Sequence, residues 1–220
     1  MLLQLYQSGG NKPGGKKQCY FLSDISVVMS VLTAWENCFQ RYFRRMVSFF
    51  RMGPTDADLL AKVGSTSLLE SHGHSAPAEI MQQYVESNFS LAACEAELTD
   101  DTNIFTAVVY NNVPVGYSKL ILRTPHPAVN LQPVTKLERL YLLKEYYDHK
   151  LGHQLLREAI SLSRESGERG MWLDVWKENH RAIRFYQKQG FETVGESSFV
   201  LTETRTNPIW VLLRRYEALP

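Results

Sequence analysis

The chain has 220 residues, with 24 Lys plus Arg, 23 Asp plus Glu and a formal net charge of +1. Hydrophobic residues make up 44% and charged residues 21%, a composition typical of soluble globular proteins. It excludes a disulfide scaffold, a collagen-like repeat and a wholly disordered chain, and the near-zero charge argues against a general nucleic-acid binder.

The near-neutral total conceals three regions of different charge. Residues 1–52 carry seven Lys/Arg and two Asp/Glu, residues 53–118 one Lys and nine acids, and residues 119–220 sixteen Lys/Arg and twelve acids. Two interpretations stay open: the asymmetry is solvated surface alone, or the acidic region faces a cationic substrate.

The first part of the chain is predicted to be a flexible, basic extension, residues 1–45, in front of one domain, residues 46–220. Residues 8–17 are rich in Gly and Lys and contain nothing that could pack. Residues 39–50 mix aromatics with Arg, a pattern that fits a basic amphipathic surface helix, a mobile extension, or sequence upstream of a start at Met46.

Cysteine use and hydropathy predict a cytoplasmic protein. Cys19, Cys38 and Cys94 are widely spaced and show no disulfide or metal-ligand pattern. No apolar run approaches the roughly 18–20 residues that a membrane-spanning helix needs, and the apolar stretch at 27–35 lacks a cleavage pattern.

Regular patterns begin near residue 47 and alternate between strand and helix in the second half of the chain. The predicted strands are 47–52, 104–110, 115–122, 134–143, 171–176, 191–195 and 208–216. The predicted helices are one that follows Pro54, and 77–88, 152–166 and 179–189. This order predicts an α/β or α+β fold with a sheet that is at least partly parallel.

Residues 137–156 form the first chemically informative segment. They read as a strand, a short polar turn and a helix with Gly152 in its first turn. Such a helix start offers unpaired N–H groups and a positive dipole end, which suit a pyrophosphate, and Lys150 adds a donor. The alternative is that Gly152 serves only packing.

Residues 179–191 form the second segment and read N-x-x-A-I-x-F-Y-x-x-x-G-F. This resembles the C-terminal motif of the GNAT superfamily of acetyl-CoA-dependent N-acetyltransferases, and the first segment lies where that superfamily places its pyrophosphate loop. The sequences L-E-R-L-Y-L (137–142), W-L-D-V-W-K-E-N (172–179) and I-M-Q-Q-Y-V-E-S-N-F (80–89) further resemble PaiA-type polyamine acetyltransferases.

The resemblance implies a GNAT fold, a mixed central sheet flanked by helices on both faces, with acetyl-CoA as co-substrate and no metal. It implies that Asn179 bonds the cofactor arm and that Tyr186 protonates the CoA thiolate. Without the motif, Tyr186 reads as a packed aromatic. The implied cofactor-binding residues of the central strand and the following loop are Leu140, Tyr141, Leu142, Asp148, His149, Lys150, Leu151, Gly152 and His153.

Two positions depart from the superfamily pattern. Tyr147 replaces the usual Gln or Arg, and Lys150 replaces the first Gly of the loop. Because Lys has less access than Gly to positive φ, we expect this loop to follow a somewhat different path. The Lys150 side chain could compensate by contacting a CoA phosphate.

An amine acceptor must lose a proton before it attacks the thioester. Glu138, on the central strand, is our candidate for accepting this proton through water, the alternative being an ordinary ion pair with Lys136 or Arg139. A main-chain N–H near Leu140 would hold the oxyanion. His72 and His74 are expected at the surface and not as metal ligands.

We therefore predict acetyl transfer to a primary amine, of a small polycation such as spermidine or spermine, by a monomer or homodimer without nucleic-acid or membrane partners. One alternative is acetylation of a protein N-terminus or lysine, which needs an open peptide groove. Another is a non-catalytic acyl-CoA-binding sensor, suggested by the altered loop.

Overall fold

The computed structural model describes residues 46–202 and 205–217. Its strands are β1 (Val47–Arg51), β2 (Asn103–Tyr110), β3 (Val113–Ile121), β4 (Thr135–Leu142), β5 (Gly170–Trp176), β6 (Glu192–Thr202) and β7 (Arg205–Arg215). Its α-helices are α1 (Ala57–His72), α2 (Ala78–Phe89), α3 (Leu91–Thr99), α4 (Leu151–Glu165) and α5 (His180–Lys188). The predicted extension, residues 1–45, lies outside these ranges, and its boundary stays a prediction.

The strands form one mixed sheet in the order β1-β2-β3-β4-β5-β7-β6. Only β4 and β5 pair in parallel. Alternate side chains of β2 and β3 reach opposite faces: Phe105 and Tyr117 pack beneath α1–α3, whereas Val108 and Leu120 belong to the cores on the side of α4. The structure thus confirms the predicted mixed sheet with helices on both faces.

Short-range signals set several element ends as predicted. The Asn179 Oδ1 atom accepts a hydrogen bond from the Ala182 N–H (3.1 Å) and caps α5. Gly167 and Gly190 follow α4 and α5 with φ of +80° and +79°, a backbone conformation that favours glycine.

Two elements differ from the prediction. Helix α3 was not predicted, although the Ser90 hydroxyl caps it by accepting from the Ala93 N–H (3.3 Å). Strand β6 was predicted at 191–195 but continues to Thr202. Its added part is mostly exposed and pairs with the start of β7, for example Val200 with Thr206, so pairing within a hairpin extends this strand.

An ion cluster ties α3 to the sheet. The Glu97 carboxylate lies 2.7 Å from the Lys119 ammonium on β3 and 2.6 Å from the Arg139 guanidinium on β4. Both cationic side chains are largely buried. Arg139 is therefore engaged by Glu97, and the sequence-based alternative that it pairs with Glu138 is wrong.

Strands β4 and β5 separate soon after they meet. Only Thr135↔Met171 and Lys136↔Trp172 are paired between them. On the other edge of β4, the register against β3 passes from Arg139 to Leu137 and leaves Glu138 as an extra, bulged residue. A bulge bends and twists a strand, and here it lies where β4 diverges from β5.

Candidate active site

The divergence of β4 and β5 opens a cleft of about 650 Å³. Its walls are the second half of β4 and the end of β5, and its rim is formed by the last turn of α1 and the first turns of α4 and α5. Of the predicted site residues, the following line the cleft: Glu138, Leu140, Tyr141, Leu142, Asp148, Lys150, Gly152, His153, Asn179 and Tyr186.

The main chain of β4 presents bonding groups to this cleft. Antiparallel partners alternate between hydrogen-bonded and non-hydrogen-bonded pairs. The Leu143 N–H donates to the Val115 carbonyl (2.9 Å), so Leu140 and Leu142, opposite Ser118 and Gly116, occupy non-bonded positions. Their N–H and C=O groups point away from β3 and into the space that β5 vacates.

The start of α4 offers unpaired donors at one end of the cleft. Its first main-chain bond runs from the Gln154 N–H to the Lys150 carbonyl (3.4 Å), and no side chain caps it. The N–H groups of the three preceding residues, 151–153, therefore have no partner within the helix. This terminus combines directed donors with the positive end of the helix dipole, an arrangement that suits a phosphate group.

Two loop residues predicted to contact the cofactor turn their side chains away. The His149 ring packs against Tyr110, with 5.0 Å between ring centres, and Leu151 is fully buried in the core. Any contact of these residues with a phosphate would use the main chain.

Lys150 adopts a left-handed backbone conformation, with φ and ψ of 58° and 18°. The turn thus forms at a positive φ despite the cost that a Cβ atom carries in this region. That the loop follows a different path from that of other superfamily members stays a prediction.

A cationic side chain that the sequence analysis did not single out lies beside the loop. The Arg181 guanidinium lies 3.8 Å from the centre of the Tyr147 ring, and both residues line the cleft. Tyr147 occupies the position where the superfamily usually has Gln or Arg, so its ring holds a guanidinium from α5 near that position. Arg181 stands two residues after the capping residue Asn179 in the sequence, and this nearness to a predicted site residue could have identified it.

Tyr186 is both a packed aromatic and a cleft residue. Its ring lies 5.1 Å from Phe185 and 5.5 Å from Phe191, centre to centre, and it is 8% exposed. Burial, with a smaller contribution from Tyr141, raises the pKa of Tyr186 above its ordinary value. The phenol is therefore protonated at neutral pH and can act as a proton donor.

Glu138 shares a lysine with a second carboxylate. The Lys136 ammonium lies 2.6 Å from Glu138 and 3.6 Å from Asp174 across the base of the cleft. Burial raises the pKa of Asp174, although Lys136 opposes this. Of the two ion pairs considered for Glu138, the structure contains the one with Lys136.

His72 lies in the site, contrary to expectation. It ends α1, lines the cleft, and its ring centre is 5.9 Å from Tyr141 and 6.4 Å from Trp176. Burial, followed by the nearby His74, lowers the pKa of His72 to about 4, so the ring is neutral at pH 7. His74 is exposed, as expected, and its ring lies 5.3 Å from Trp176.

Within residues 46–202 and 205–217, no group of three His, Cys, Asp or Glu residues could hold a metal ion. No helix in these ranges is long and apolar enough to cross a membrane.

Comparison with known proteins identifies the family. The profile of the acetyltransferase (GNAT) family matches residues 67–191, more than half of the chain. An uncharacterized N-acetyltransferase of Mycobacterium bovis is 29% identical over 160 residues, which cover 73% of this chain and 97% of that protein. Another from Lactobacillus delbrueckii subsp. lactis is 24% identical over 159 residues, 72% of this chain and 92% of that protein.

Solved structures share the fold. The PaiA N-acetyltransferase of Thermoplasma acidophilum, in complex with coenzyme A, has a TM-score of 0.62 at 19% identity and covers 78% of this chain and 99% of that one. The ribosomal-protein-S18-alanine N-acetyltransferase of Escherichia coli has a TM-score of 0.57 at 15% identity, with 80% and 97% covered.

The chain belongs to the acetyltransferase (GNAT) family, and its fold is that family's mixed sheet. It is an acetyl-CoA-dependent N-acetyltransferase.

If a CoA phosphate binds at the start of α4, replacing Arg181 by Ala is expected to raise KM for acetyl-CoA about tenfold with little change in kcat, because a charge-assisted bond from Arg181 to that phosphate would then be lost. Steady-state kinetics with varied acetyl-CoA measure this. The control is Arg184→Ala, an exposed arginine of the same helix outside the cleft lining. Equal KM values for the two variants would contradict a role of Arg181 in cofactor binding.

Lys150 allows backbone strain to be separated from charge. Lys150→Gly and Lys150→Ala both remove the ammonium group, but only Gly is relaxed at φ 58°. We expect both variants to raise KM for acetyl-CoA several-fold, and the Gly variant to be more stable than the Ala variant by about 1 kcal/mol in urea unfolding. An Ala variant as stable as the Gly variant would show that the turn is not strained.

Proposed function

We propose that the protein transfers the acetyl group of acetyl-CoA to a primary amine of a small polycation such as spermidine or spermine. Glu138 accepts the ammonium proton through a water molecule, and Tyr186 protonates the departing CoA thiolate. A main-chain N–H near Leu140 holds the oxyanion. Residues 46–220 carry this activity without the extension.

The proposed path of acetyl-CoA follows the cleft. The pantetheine arm pairs with the free main-chain groups of Leu140 and Leu142 and extends the sheet as a strand would. Its diphosphate lies at the start of α4, next to Lys150 and Arg181. Asn179 uses its Oδ1 atom to cap α5, which leaves its NH₂ group for the cofactor arm.

The observation that carries the choice of acceptor is the pair of carboxylates at the cleft base. Leu173 and Val175 pack into the core that contains α4 residues, so Asp174 between them points to the opposite face, where α1 lies. Among residues 46–202 and 205–217, Lys136 supplies the one ammonium group within ion-pair distance of Glu138 and Asp174. The group keeps a net negative charge that favours a cationic substrate.

A panel of amines, assayed by thiol release from acetyl-CoA, tests this acceptor. We expect kcat/KM for spermidine to exceed that for a monoamine such as butylamine at least tenfold, because the second ammonium meets the carboxylates. Peptides with a free N-terminus or a lysine complete the panel. If spermidine is no better than butylamine, the polyamine acceptor is wrong, and faster turnover of a peptide would favour a protein substrate.

Substitutions test which carboxylates cause the preference for spermidine over butylamine. Asp174→Asn and Glu138→Gln should each reduce the preference for spermidine over butylamine severalfold. Glu145→Gln, at an exposed position outside the cleft lining, is the matched control and should leave it unchanged. An unchanged preference in both cleft variants would contradict recognition by these carboxylates.

A further inference from the structure

The last turn of α1 spans the open end of the cleft. The Glu70 carboxylate accepts a hydrogen bond from the Lys144 N–H (2.7 Å), two residues beyond β4. Two residues after Glu70, the His72 ring lies beside Trp176, the last residue of β5, and beside Tyr141 of β4. The helix end thus connects both diverging strands and places His72 in the cleft wall on the face of Asp174.

Hydrogen bonds define which nitrogen of His72 carries the proton. The Ser71 hydroxyl lies 2.7 Å from the Ser67 carbonyl oxygen and 3.2 Å from the Leu68 carbonyl oxygen, and both of these atoms can only accept. The hydroxyl has a single hydrogen, and we infer that it goes to these carbonyls, so that the hydroxyl oxygen accepts from His72 Nδ1, 2.7 Å away. In the neutral ring the proton is therefore on Nδ1, and Nε2 has a lone pair.

In the described part of the chain, no group donates a hydrogen bond to Nε2, because the hydrogen bond of the ring is the one at Nδ1. The ring is also neutral at pH 7, because burial disfavours the charged imidazolium. His72, which lines the cleft, thus has a neutral ring whose Nε2 lone pair has no hydrogen-bond partner among the described residues.

We propose that His72 Nε2 accepts the proton that the acceptor nitrogen loses as its bond to the acetyl carbon forms. Ser71 is a positioning residue that fixes the ring tautomer. This inference rests on the proposed acceptor face, and it assigns a second proton transfer, distinct from the loss of the ammonium proton for which Glu138 is proposed.

The proton balance separates the two transfers. The ammonium group first loses a proton through water to Glu138, and the free amine attacks the thioester carbonyl carbon. As the C–N bond forms, the nitrogen becomes positively charged and much more acidic, so even a weak neutral base can take its proton. The C–S bond then breaks, its electron pair goes to sulfur, and Tyr186 protonates the thiolate. Solvent later removes the protons held by Glu138 and His72 and returns one to Tyr186, so that one proton is released per turnover.

The kinetic test uses His72→Asn, whose side-chain NH₂ can still donate to Ser71 while the Nε2 position is lost. We expect kcat with the best amine of the panel to fall about 100-fold, with KM for acetyl-CoA and the unfolding midpoint unchanged. His74→Asn is the matched control and should retain kcat. Added imidazole should restore part of the turnover of His72→Ala, which a purely structural role would not predict. A kcat for His72→Asn within twofold of the unmodified protein would overturn the proposal.

Nitrogen-15 NMR of the labelled, unmodified protein tests the tautomer without any amine. We expect the His72 resonances of a ring protonated at Nδ1 and unprotonated at Nε2, and a shift toward the other tautomer in Ser71→Ala. A proton on Nε2 in the unmodified protein would overturn the proposal even if polyamines are good substrates. Conversely, if spermidine is no better a substrate than butylamine, the polyamine acceptor is wrong. The NMR experiment still decides the tautomer of His72 in that case.

Discussion

Tyr186→Phe is expected to lower kcat about 100-fold and to leave KM for acetyl-CoA and the unfolding midpoint unchanged. The substitution removes only the hydroxyl, so the aromatic contacts with Phe185 and Phe191 remain while the proton donor for the CoA thiolate is lost. Steady-state kinetics with acetyl-CoA and the preferred amine measure the change. Unimpaired turnover would show that another group protonates the thiolate.

Tyr117→Phe is the matched control. The Tyr117 hydroxyl is buried without a hydrogen-bond partner among the described residues, and it does not line the cleft. Its removal should leave kcat unchanged and cost no stability. A similar loss of kcat in both variants would mean that the Tyr186 effect is not specific.

The raised pKa of Tyr186 also predicts the shape of the pH profile. An acid catalyst must be protonated, so its contribution to kcat is lost as pH rises through its pKa. Because burial raises that pKa above the ordinary value of about 10, Tyr186 should cause no decline in kcat below pH 10. A decline between pH 7 and 9 that disappears in Tyr186→Phe would contradict this assignment.

Glu97→Ala is expected to reduce the free energy of unfolding by about 3–5 kcal/mol. It leaves the largely buried Lys119 and Arg139 without their shared counter-charge, and unpaired buried charge is costly. Urea unfolding measures the loss, and Glu95→Ala, at an exposed position of the same helix, should cost less than about 1 kcal/mol. Similar losses of unfolding free energy in the two variants would show that the ion cluster stabilises the fold no more than an exposed glutamate of the same helix.

The same cluster predicts an acid dependence. Burial raises the pKa of Glu97, but Arg139 and Lys119 outweigh it and hold the pKa below its ordinary value. A carboxyl with a depressed pKa stabilises the fold above its unfolded pKa, and this contribution is lost as pH falls through the folded pKa. The stability difference between the unmodified protein and Glu97→Gln should therefore be constant near pH 7 and shrink below about pH 4.5.

Most of the fold could be predicted because its signals are local. The Asn179 cap, the glycines after α4 and α5 and the alternating pattern of the strands each depend on neighbours in sequence. Helix α3 has a local signal, its Ser90 cap, but the Glu97 ion cluster that ties it to the sheet joins residues distant in sequence. The end of β6 is mostly exposed and depends on hairpin pairing with β7, so it lacks the buried alternation that marks the other strands.

The candidate site also contains residues that could be predicted from the sequence and residues that could not. Ten of the predicted site residues line one cleft because the two motifs fix the strand and helix starts around it. Arg181 and His72 were missed because their importance comes from a ring on another element: Tyr147 beside Arg181, and Trp176 beside His72. The left-handed Lys150 was also unexpected, since a lysine seldom adopts a positive φ.

We propose that the β4–β5 cleft holds acetyl-CoA along β4, with the acceptor on the face of α1. A crystal structure of the protein with CoA and spermidine is the decisive measurement. We predict hydrogen bonds from the pantetheine arm to the main chain of Leu140 and Leu142, the diphosphate at the N–H groups of residues 151–153, and spermidine near Glu138 and Asp174. CoA bound outside this cleft, or an arm that makes no main-chain bonds with β4, would contradict the claim.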